Sequence, residues 1–202
     1  MARKATPQPQ GILAADGAVV IRSMRAEETD FQQYLQWMTD PETMKYWEGM
    51  TVRFTYERVV EEYRENLREQ VWPCFMEYEG RAVGYCQFCT LDAAYFEIPQ
   101  AGYDAFAGPE DAVFGIDMFL GETALRGRGL GTRTLKLLLH ALFDRYGADA
   151  VMIDPKTHNT RAIRCYRKAG FQDLFVVPSR ELQDGVYHDS LIMGIRKKDA
   201  FV

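Results

Sequence analysis

The sequence predicts an α/β fold in which one mixed sheet is flanked by helices. Short apolar runs of strand length alternate along the chain with longer segments whose apolar residues recur at helical spacing. A glycine-rich turn joins one such run to a strongly amphipathic segment, which is typical of a strand followed by a helix. At 202 residues, of which 47% are hydrophobic, the chain is long enough to bury one sizeable core, and nothing in it indicates two independent domains.

The first elements follow in order from the N-terminus. Residues 1–17 contain two prolines and two glutamines and are expected to form a flexible tail, which leaves 18–202 as a single domain. The expected elements of the first half are a strand over 19–24, helices over 31–38 and 56–69, and hairpin strands over 71–78 and 81–90. The second helix carries Val59 and Tyr63 on one side, and Glu79-Gly80 supplies the turn of the hairpin.

The second half of the chain alternates strands with helices. An apolar run over 114–120 predicts a strand, and the apolar residues from Leu130 to Phe143 recur at the spacing of one helical face. The remaining expected elements are a strand over 150–154, a helix over 161–169 and two closing strands over 171–177 and 186–195. Gly170 is placed to end the second of these helices.

The glycine-rich turn has the properties of an anion site. It reads Arg126-Gly127-Arg128-Gly129-Leu130-Gly131 and opens the amphipathic helix. The first N–H groups of a helix have no partner within it and carry partial positive charge, while glycines let an anion approach the main chain. The run lacks the Lys-Ser or Lys-Thr of a nucleotide-hydrolysing P-loop and the G-x-G-x-x-G spacing of a dinucleotide fold. The turn therefore predicts a phosphate or pyrophosphate site of another kind.

Two spaced motifs carry a family resemblance. Arg126-x-x-Gly129-x-Gly131 is followed, beyond the strand over 150–154, by Asn159, Ala162, Tyr166, Gly170 and Phe171. Together they resemble the acetyl-CoA pyrophosphate loop and the second half of the core of the GNAT superfamily of N-acetyltransferases. Within it, they are most similar to the branch of aminoglycoside 6'-N-acetyltransferases and their siderophore-acylating relatives. The resemblance implies a central, mostly antiparallel sheet of about seven strands flanked by about four helices.

The resemblance also implies acetyl-CoA as co-substrate. The positions expected to bind it are Met118, Phe119, Leu120, Arg126, Gly127, Arg128, Gly129, Leu130, Gly131, Thr132, Asn159, Arg161, Arg164 and Tyr166. Backbone N–H groups of the first three would stabilise the thioester carbonyl, and Asn159 would bond the pantetheine or its phosphates. No metal is expected, because the four cysteines lack metal-site spacing and Cys86 and Cys89, three apart in a strand, point to opposite faces.

Amide formation needs a base and an acid, and two residues are candidates. Asp117 would take the proton of the acceptor amine, since an alkyl ammonium titrates at about pH 10 and attacks only when neutral. A carboxylate in an otherwise apolar strand is costly unless paired or used, so the alternative is a salt bridge to an arginine. Gly115-Ile116-Asp117 matches the motif that binds the acceptor amine in the aminoglycoside branch. Tyr166 matches the general acid for the departing thiolate, and its alternative is a tyrosine that packs the helix on the sheet.

Charge placement predicts a cationic acceptor. Residues 92–117 hold six acids and no lysine or arginine, and such a field attracts cations and argues against nucleic acid. The expected acceptor contacts are Asp92, Tyr95, Tyr103, Asp104, Glu110 and Asp117. We expect the long segment over 93–113 to form a flap that offers aromatic faces and carboxylates to the acceptor. The alternative is a solvated acidic surface.

The expected function is acetyl-CoA-dependent acetylation of a primary amine, by direct transfer in a ternary complex. The leading acceptor is a small polycation, with the 6'-amine of an aminoglycoside, and hence antibiotic resistance, as its main case. A siderophore-biosynthesis N-acyltransferase and a catalytically silent acetyl-CoA-binding module are alternatives. Neither a membrane span nor a signal peptide is expected, which predicts a cytoplasmic protein without a membrane partner. The sequence leaves open whether it is a monomer or a dimer.

Overall fold

A computed structural model describes residues 8–200 and forms one eight-stranded sheet. The strands are β1 (Ile12–Asp16), β2 (Val19–Ser23), β3 (Trp72–Tyr78), β4 (Arg81–Thr90), β5 (Val113–Leu120), β6 (Ala150–Ile153), β7 (Gln172–Gln183) and β8 (Val186–Arg196). Their order across the sheet is β1-β2-β3-β4-β5-β6-β8-β7, and every neighbouring pair except β5 and β6 is antiparallel. The expected mixed, mostly antiparallel sheet is confirmed, with eight strands rather than about seven.

Helices cover both faces of the sheet. Those formed by residues 8–200 are α1 (Glu28–Met38), α2 (Pro41–Met44), α3 (Tyr56–Arg68), α4 (Ala93–Phe96), α5 (Gln100–Phe106), α6 (Leu130–Asp144) and α7 (Thr160–Ala169). Because successive strand residues point to opposite faces, Cys74 and Cys86 join the core under α6, whereas Phe75 and Tyr85 join the core under α1 and α3. In this part of the chain, no helix has the length and apolar character needed to cross a membrane. Residues 8–200 form seven helices rather than the expected four or so, because α2, α4 and α5 are too short to produce a recognisable helical pattern in the sequence.

The N-terminal segment departs from the expected tail. Residues of β1 pair with β2 at the sheet edge, and Leu13 is buried there. Arg145 Nη1 donates hydrogen bonds to the carbonyls of Ile12 at 3.0 Å and Leu13 at 3.2 Å. The prediction of a flexible tail is therefore wrong for β1, since a five-residue edge strand with little buried surface leaves too short a pattern to detect. Residues 1–7 of that predicted tail lie outside the described residues.

The segment over 93–113 also departs from its prediction. It folds into α4 and α5, which pack Phe96 and Tyr103 against Met152 and Ile192 of the sheet. The buried residues of the segment therefore belong to a hydrophobic core, and the prediction of a flap is wrong for α5. Apolar side chains in this segment gain more from burial against the sheet than from exposure above the acceptor.

A cleft opens where β5 and β6 part. Their parallel pairing covers only three residue pairs and ends at Gly115 opposite Met152. Beyond Gly115, β5 continues to Leu120 and is paired with β4 alone. One backbone edge of residues 116–120 therefore has no strand beside it among the described residues, and its polar groups can bond a ligand.

Candidate active site

The cleft beside β5 has a volume of about 1030 Å³ and two chemically different sets of lining residues. One set comes from the loop before α6 and from α7 and is rich in cations. The other comes from the ends of β5, β6 and β7 and from the segment after α2, and it is rich in carboxylates. Asp117 and Tyr166 line the same cleft, so the structure brings both predicted catalytic residues together.

The loop before α6 presents backbone N–H groups. Gly127 and Gly129 have φ angles of 77° and 79°, in the left-handed region that favours glycine. Gly129 is the N-cap, and no side chain caps α6, so the first N–H groups of the helix are left for a ligand. A Cβ atom on Gly131 would lie 3.6 Å from Cys165 Sγ, which shows how closely α6 and α7 approach. This geometry suits a phosphate or pyrophosphate.

Arg126 braces this loop against the rest of the protein. Its Nε and Nη2 donate to the carbonyl of Leu120 at 3.0 and 2.7 Å, and Nη2 also donates to Thr43 Oγ1 at 3.2 Å. Burial lowers the pKa of Arg126, and the nearby charge of Arg161 lowers that pKa further. Arg126 lines the cleft, but most of its guanidinium donors are used to hold the loop against β5 and α2.

Helix α7 adds a second group of cations along its length. The cleft-lining cations of α7 are Arg161, Arg164 and Lys168, of which Lys168 was not predicted. The guanidinium of Arg161 lies 5.6 Å from the centre of the Tyr46 ring. Asn159 is the N-cap of α7, and its Oδ1 accepts a hydrogen bond from the N–H of Ala162 at 3.2 Å. A predicted ligand-binding residue thus also fixes the start of the helix.

The remaining predicted cofactor positions divide into two groups. Those that line the cleft are Met118, Phe119, Leu120, Gly127, Gly129, Gly131 and Thr132. Arg128 is exposed and Leu130 is buried in the core, and neither side chain lines the cleft. Leu130 packs inward because it is the first apolar residue of the α6 face.

Asp117 is held by a polar contact within the sheet. Gln87 Nε2 donates a hydrogen bond to Asp117 Oδ2 at 3.0 Å, and Tyr85 Oη donates to Gln87 Oε1 at 2.7 Å. Burial raises the pKa of Asp117 to about 7, the charge of Asp154 adds to the rise, and the bond from Gln87 opposes it. No arginine forms a salt bridge with Asp117 within residues 8–200, so the carboxyl can accept a proton near neutral pH.

Tyr166 is at once a core residue and a cleft residue. It is only 6% exposed, and its ring centre lies 6.1 Å from that of Phe171. Burial raises the pKa of Tyr166, so the phenol stays protonated at neutral pH and can donate a hydrogen bond or a proton. Next to it, Cys165 Sγ lies 3.3 Å from Thr132 Oγ1, which links the first turn of α6 to the middle of α7.

Two of the six predicted acceptor contacts, Tyr95 and Asp117, line the cleft. The structure does not bring the other four to it: Asp92, Tyr103, Asp104 and Glu110. Tyr95 stands beside Glu97, an acid of the same segment that the sequence did not single out for the site.

The four side chains that do not line the cleft have other partners or lie on the surface. Asp92 caps α4 by accepting the N–H of a residue in its first turn at 3.2 Å. Tyr103 is buried and donates a hydrogen bond to the carbonyl of Leu91 at 3.1 Å. Asp104 accepts a hydrogen bond within α5 at 2.7 Å, and Glu110 is exposed ahead of β5. Folding of α4 and α5 against the sheet turns these residues away from the cleft.

Sequence reasoning missed most of the carboxylates that line the cleft. Those not predicted as site residues are Glu42, Glu48, Glu97, Asp154 and Glu181. Lys156 Nζ lies 2.7 Å from Glu181 Oε2, and Arg180 Nη1 lies 2.5 Å from Asp154 Oδ2. The position of Asp154 at the carboxyl end of a buried parallel strand was a usable signal. Glu48 and Glu181 stand far from any motif, so no local pattern indicates them.

The tip of the β7–β8 hairpin fixes the segment that carries Trp47. Asp184 accepts hydrogen bonds from the N–H of Met50 through Oδ2 and of Thr51 through Oδ1, both at 2.8 Å. These bonds lower the pKa of Asp184. Gln183 Nε2 donates to a carbonyl at the end of α2 at 3.2 Å. Trp47 lines the cleft, and its segment is held in place by hairpin side chains that bond to the backbone on either side of it.

Comparison with protein families shows what kind of enzyme has this cleft. Residues 26–177 match the family model of the acetyltransferase (GNAT) domain. The chain belongs to this family. The predicted GNAT acetyltransferase is therefore confirmed.

Known proteins are similar over most of the chain. The aminoglycoside N(6')-acetyltransferase type 1 of Klebsiella pneumoniae is 29% identical over 160 residues, which cover 78% of this chain and 76% of that protein. The structure of AAC(6')-Ib in complex with ribostamycin and coenzyme A is 27% identical, with a TM-score of 0.71 over 90% of this chain and 95% of that one. A spermidine N-acetyltransferase from Vibrio cholerae, 12% identical with a TM-score of 0.71 over 91% of this chain and 98% of that one, shares the fold.

Proposed function

We propose that this GNAT enzyme uses acetyl-CoA to acetylate the 6'-amino group of aminoglycosides, by direct transfer in a ternary complex. Asp117 carries the proposal: its carboxyl titrates near pH 7, on the strand that separates the cation-rich from the carboxylate-rich lining of one cleft. The similarity to the Klebsiella pneumoniae enzyme and to AAC(6')-Ib supports this choice of acceptor. Antibiotic resistance is the biological role that follows.

The donor side of the cleft fits the charge of coenzyme A. The uncapped N-terminus of α6 and the glycine loop suit the pyrophosphate, and Arg161 and Arg164 add positive charge beside them. The free backbone edge of residues 116–120 can bond the amide groups of a pantetheine arm as a neighbouring strand would. Bound acetyl-CoA supplies a thioester beside Asp117.

Asp117 and Tyr166 divide the proton transfers of the reaction. The acceptor arrives as an ammonium ion with a pKa of about 10 and must lose a proton before its nitrogen can attack. The Asp117 carboxylate takes that proton, the N–C bond forms at the thioester carbonyl, and the C–S bond breaks. Tyr166 donates its phenolic proton to the departing sulfur. The nitrogen loses its second surplus proton to solvent as the amide forms, Asp117 releases the proton it took, and Tyr166 regains one, so that one proton is released per turnover.

The acceptor side of the cleft fits a small polycation rather than a nucleic acid. Glu42 and Glu48 line it and form no salt bridge among residues 8–200, and Glu97, 60% exposed, lies 3.8 Å from Arg180 Nε. Carboxylates placed in this way attract ammonium groups and repel phosphates. We place the reaction in the cytoplasm, because all four cysteines are free thiols, as a reducing compartment favours.

Thiol release from acetyl-CoA tests the proposal. The purified protein is offered kanamycin, tobramycin, an aminoglycoside with a 6'-hydroxyl, and a hydroxylated-lysine siderophore precursor. We expect turnover on the two 6'-amino compounds alone. Turnover on the siderophore precursor alone would assign the enzyme to siderophore acylation, and coenzyme A binding without any turnover would indicate a silent module.

A matched pair of variants connects the activity to the site. Asp117→Asn keeps the size of the side chain and should lower kcat at least about a hundredfold, the range that loss of a general base produces. Asp144→Asn changes an aspartate that is 67% exposed on α6 and should leave kcat unchanged. Isothermal titration with coenzyme A should show the same affinity for both variants.

A further inference from the structure

A bulge in β7 brings Arg180 into the cleft. In the antiparallel pairing of β7 with β8, residues 178–180 stand opposite Asp189 alone. Ser179 adopts a φ of 50°, and its N–H donates to Asp189 Oδ1 at 2.8 Å. Pro178, which has no N–H for the sheet, stands at the start of the bulge. Bulges beside active sites redirect a side chain, and here the redirected side chain is that of Arg180.

Arg180 is a buried cation surrounded by Tyr95 and three acids, Asp154, Glu97 and Glu181, and one of its donors has no hydrogen-bond partner among residues 8–200. Its side chain is 8% exposed, and Nη1 lies 2.5 Å from Asp154 Oδ2. Nη2 donates to the carbonyl of Tyr95 at 2.9 Å, and the guanidinium lies 5.4 Å from the centre of the Tyr95 ring. Nε is buried and has no hydrogen-bond partner within residues 8–200, although Glu97 Oε1 lies 3.8 Å from it.

This guanidinium changes what Asp154 offers to an acceptor. Asp154 lines the cleft close enough to Asp117 for its charge to act on that carboxyl. A bare carboxylate at this place would attract a second ammonium on the ring that carries the reacting amine. Arg180 already supplies the positive charge, as Lys156 does for Glu181. An arriving ammonium must displace the guanidinium or lie beside a like charge.

An acceptor hydroxyl meets the opposite situation. Its oxygen can accept a hydrogen bond from Arg180, which lines the cleft. A hydroxyl also brings no charge that would oppose the guanidinium. The same position therefore favours an uncharged acceptor group over a charged one.

We propose that Arg180 is a specificity-determining residue whose guanidinium occupies an ammonium subsite at Asp154, so that the enzyme prefers acceptors with a hydroxyl rather than a second ammonium there. This inference rests on the proposed acetylation of aminoglycosides. It assigns to the β7 bulge the role of holding a built-in cation within the acceptor site.

Two acceptors that differ in one group test the proposal. Kanamycin A and kanamycin B carry a hydroxyl and an amine, respectively, at one position of the ring that bears the 6'-amine. We expect the wild-type enzyme to have the higher kcat/KM on kanamycin A. In Arg180→Gln the ratio of the two kcat/KM values should shift toward kanamycin B by about tenfold. Arg180→Lys retains the charge and should retain most of the wild-type ratio.

A second variant shows whether the effect passes through Asp154. Arg180→Gln combined with Asp154→Asn removes both charges and should lose the gain on kanamycin B. Arg64→Gln is the matched control, because it removes the same charge from an arginine that is 64% exposed on α3. The control should leave the ratio unchanged.

The outcomes separate this inference from the proposed function. A wild-type enzyme that acetylates both compounds, with the same ratio in Arg180→Gln, overturns the role of Arg180 and leaves the function standing. A gain on kanamycin B that persists without Asp154 also overturns it. A wild-type enzyme without activity on either compound overturns the proposed function, and the inference with it.

Discussion

Gln87 and Asp117 face each other across β4 and β5, and the Gln87 amide donates a hydrogen bond to the Asp117 carboxylate at 3.0 Å. This bond stabilises the ionised carboxyl, while burial and the charge of Asp154 stabilise the protonated form. These opposing effects together set the pKa of Asp117 at about 7. Tyr85 orients the amide by donating to its oxygen at 2.7 Å, so that the NH2 group faces the carboxylate.

Removal of the Gln87 amide should move the pH dependence of the reaction. Wild-type kcat should rise with pH through about 7 as Asp117 ionises. Gln87→Leu removes the bond that lowers the pKa, so the rise should move to higher pH by about one unit, because a hydrogen bond to a charged group contributes about 1.5 kcal/mol. Profiles of kcat against pH with kanamycin measure the shift. Tyr85→Phe, which leaves the amide in place, should shift the rise less, and equal profiles for all three enzymes would contradict this role.

Asp117 should also destabilise the folded protein at alkaline pH. Its folded-state pKa lies above the value of about 3.9 for an unfolded chain, so the folded form holds a proton that the unfolded form releases. Stability is therefore lost as pH rises from about 4 to about 7, and the loss persists above pH 7. Asp117→Asn should raise the free energy of unfolding at pH 8 by about 1 to 3 kcal/mol, and by less at pH 5. Denaturant unfolding at pH 8 and pH 5 measures this. An equal increase in the free energy of unfolding at both pH values would contradict the destabilisation of the fold by an ionised Asp117.

Substitution of Gly129 should impair the binding of acetyl-CoA more than it impairs folding. Gly129→Ala places a side chain on a residue with a φ of 79° at the start of α6, at a cost of about 1 kcal/mol in stability. The added methyl also stands where an anion must approach the backbone, so the KM for acetyl-CoA should rise several-fold while the KM for kanamycin stays constant. Gly80→Ala is the matched control, with a φ of 75° in the β3–β4 turn and open space around it. Gly80→Ala should lose similar stability and keep both KM values. A similar rise of the KM for acetyl-CoA in both variants would contradict the assignment of Gly129 to the acetyl-CoA site.

Asp184 should control the acceptor side of the cleft without touching the acceptor. Asp184→Ala releases the N–H groups of Met50 and Thr51 and frees the segment that carries Trp47. The KM for kanamycin should rise several-fold, and the KM for acetyl-CoA should stay constant, since the donor side has other supports. Asp184→Asn retains one acceptor oxygen and should give an intermediate value. Steady-state kinetics with each substrate varied in turn measures both constants, and a parallel rise in the two would instead indicate general loosening of the fold.

The parts of the site that were predictable depend on local geometry. Gly129 and Asn159 are the N-caps of α6 and α7, where a few adjacent residues determine the backbone, and Tyr166 lies at a fixed spacing from Asn159 within α7. Asp117 was recognisable for a similar local reason, as a charged residue within an otherwise apolar strand.

The parts that were not predictable depend on contacts between distant residues. Arg180 enters the cleft because three residues of β7 stand opposite one of β8. Pro178 marks an irregularity in the strand, but it does not show which side chain the bulge redirects. Tyr103 and Phe96 looked like exposed aromatics of a flap, yet the sheet offers them a core. Leu13 belongs to a strand that is stabilised by an arginine more than a hundred residues away. Such pairings become visible only when the chain is folded.

The position of the new acetyl group tests the central claim most directly. Kanamycin is incubated with acetyl-CoA and the purified enzyme, and the product is examined by mass spectrometry and two-dimensional NMR. We predict one added acetyl group, on the 6'-nitrogen, with the wild-type enzyme, and at least about a hundredfold less product in the same time with Asp117→Asn. Acetylation at another amine, or equal product from the Asp117→Asn variant, would contradict the proposed function and the role of Asp117 in it.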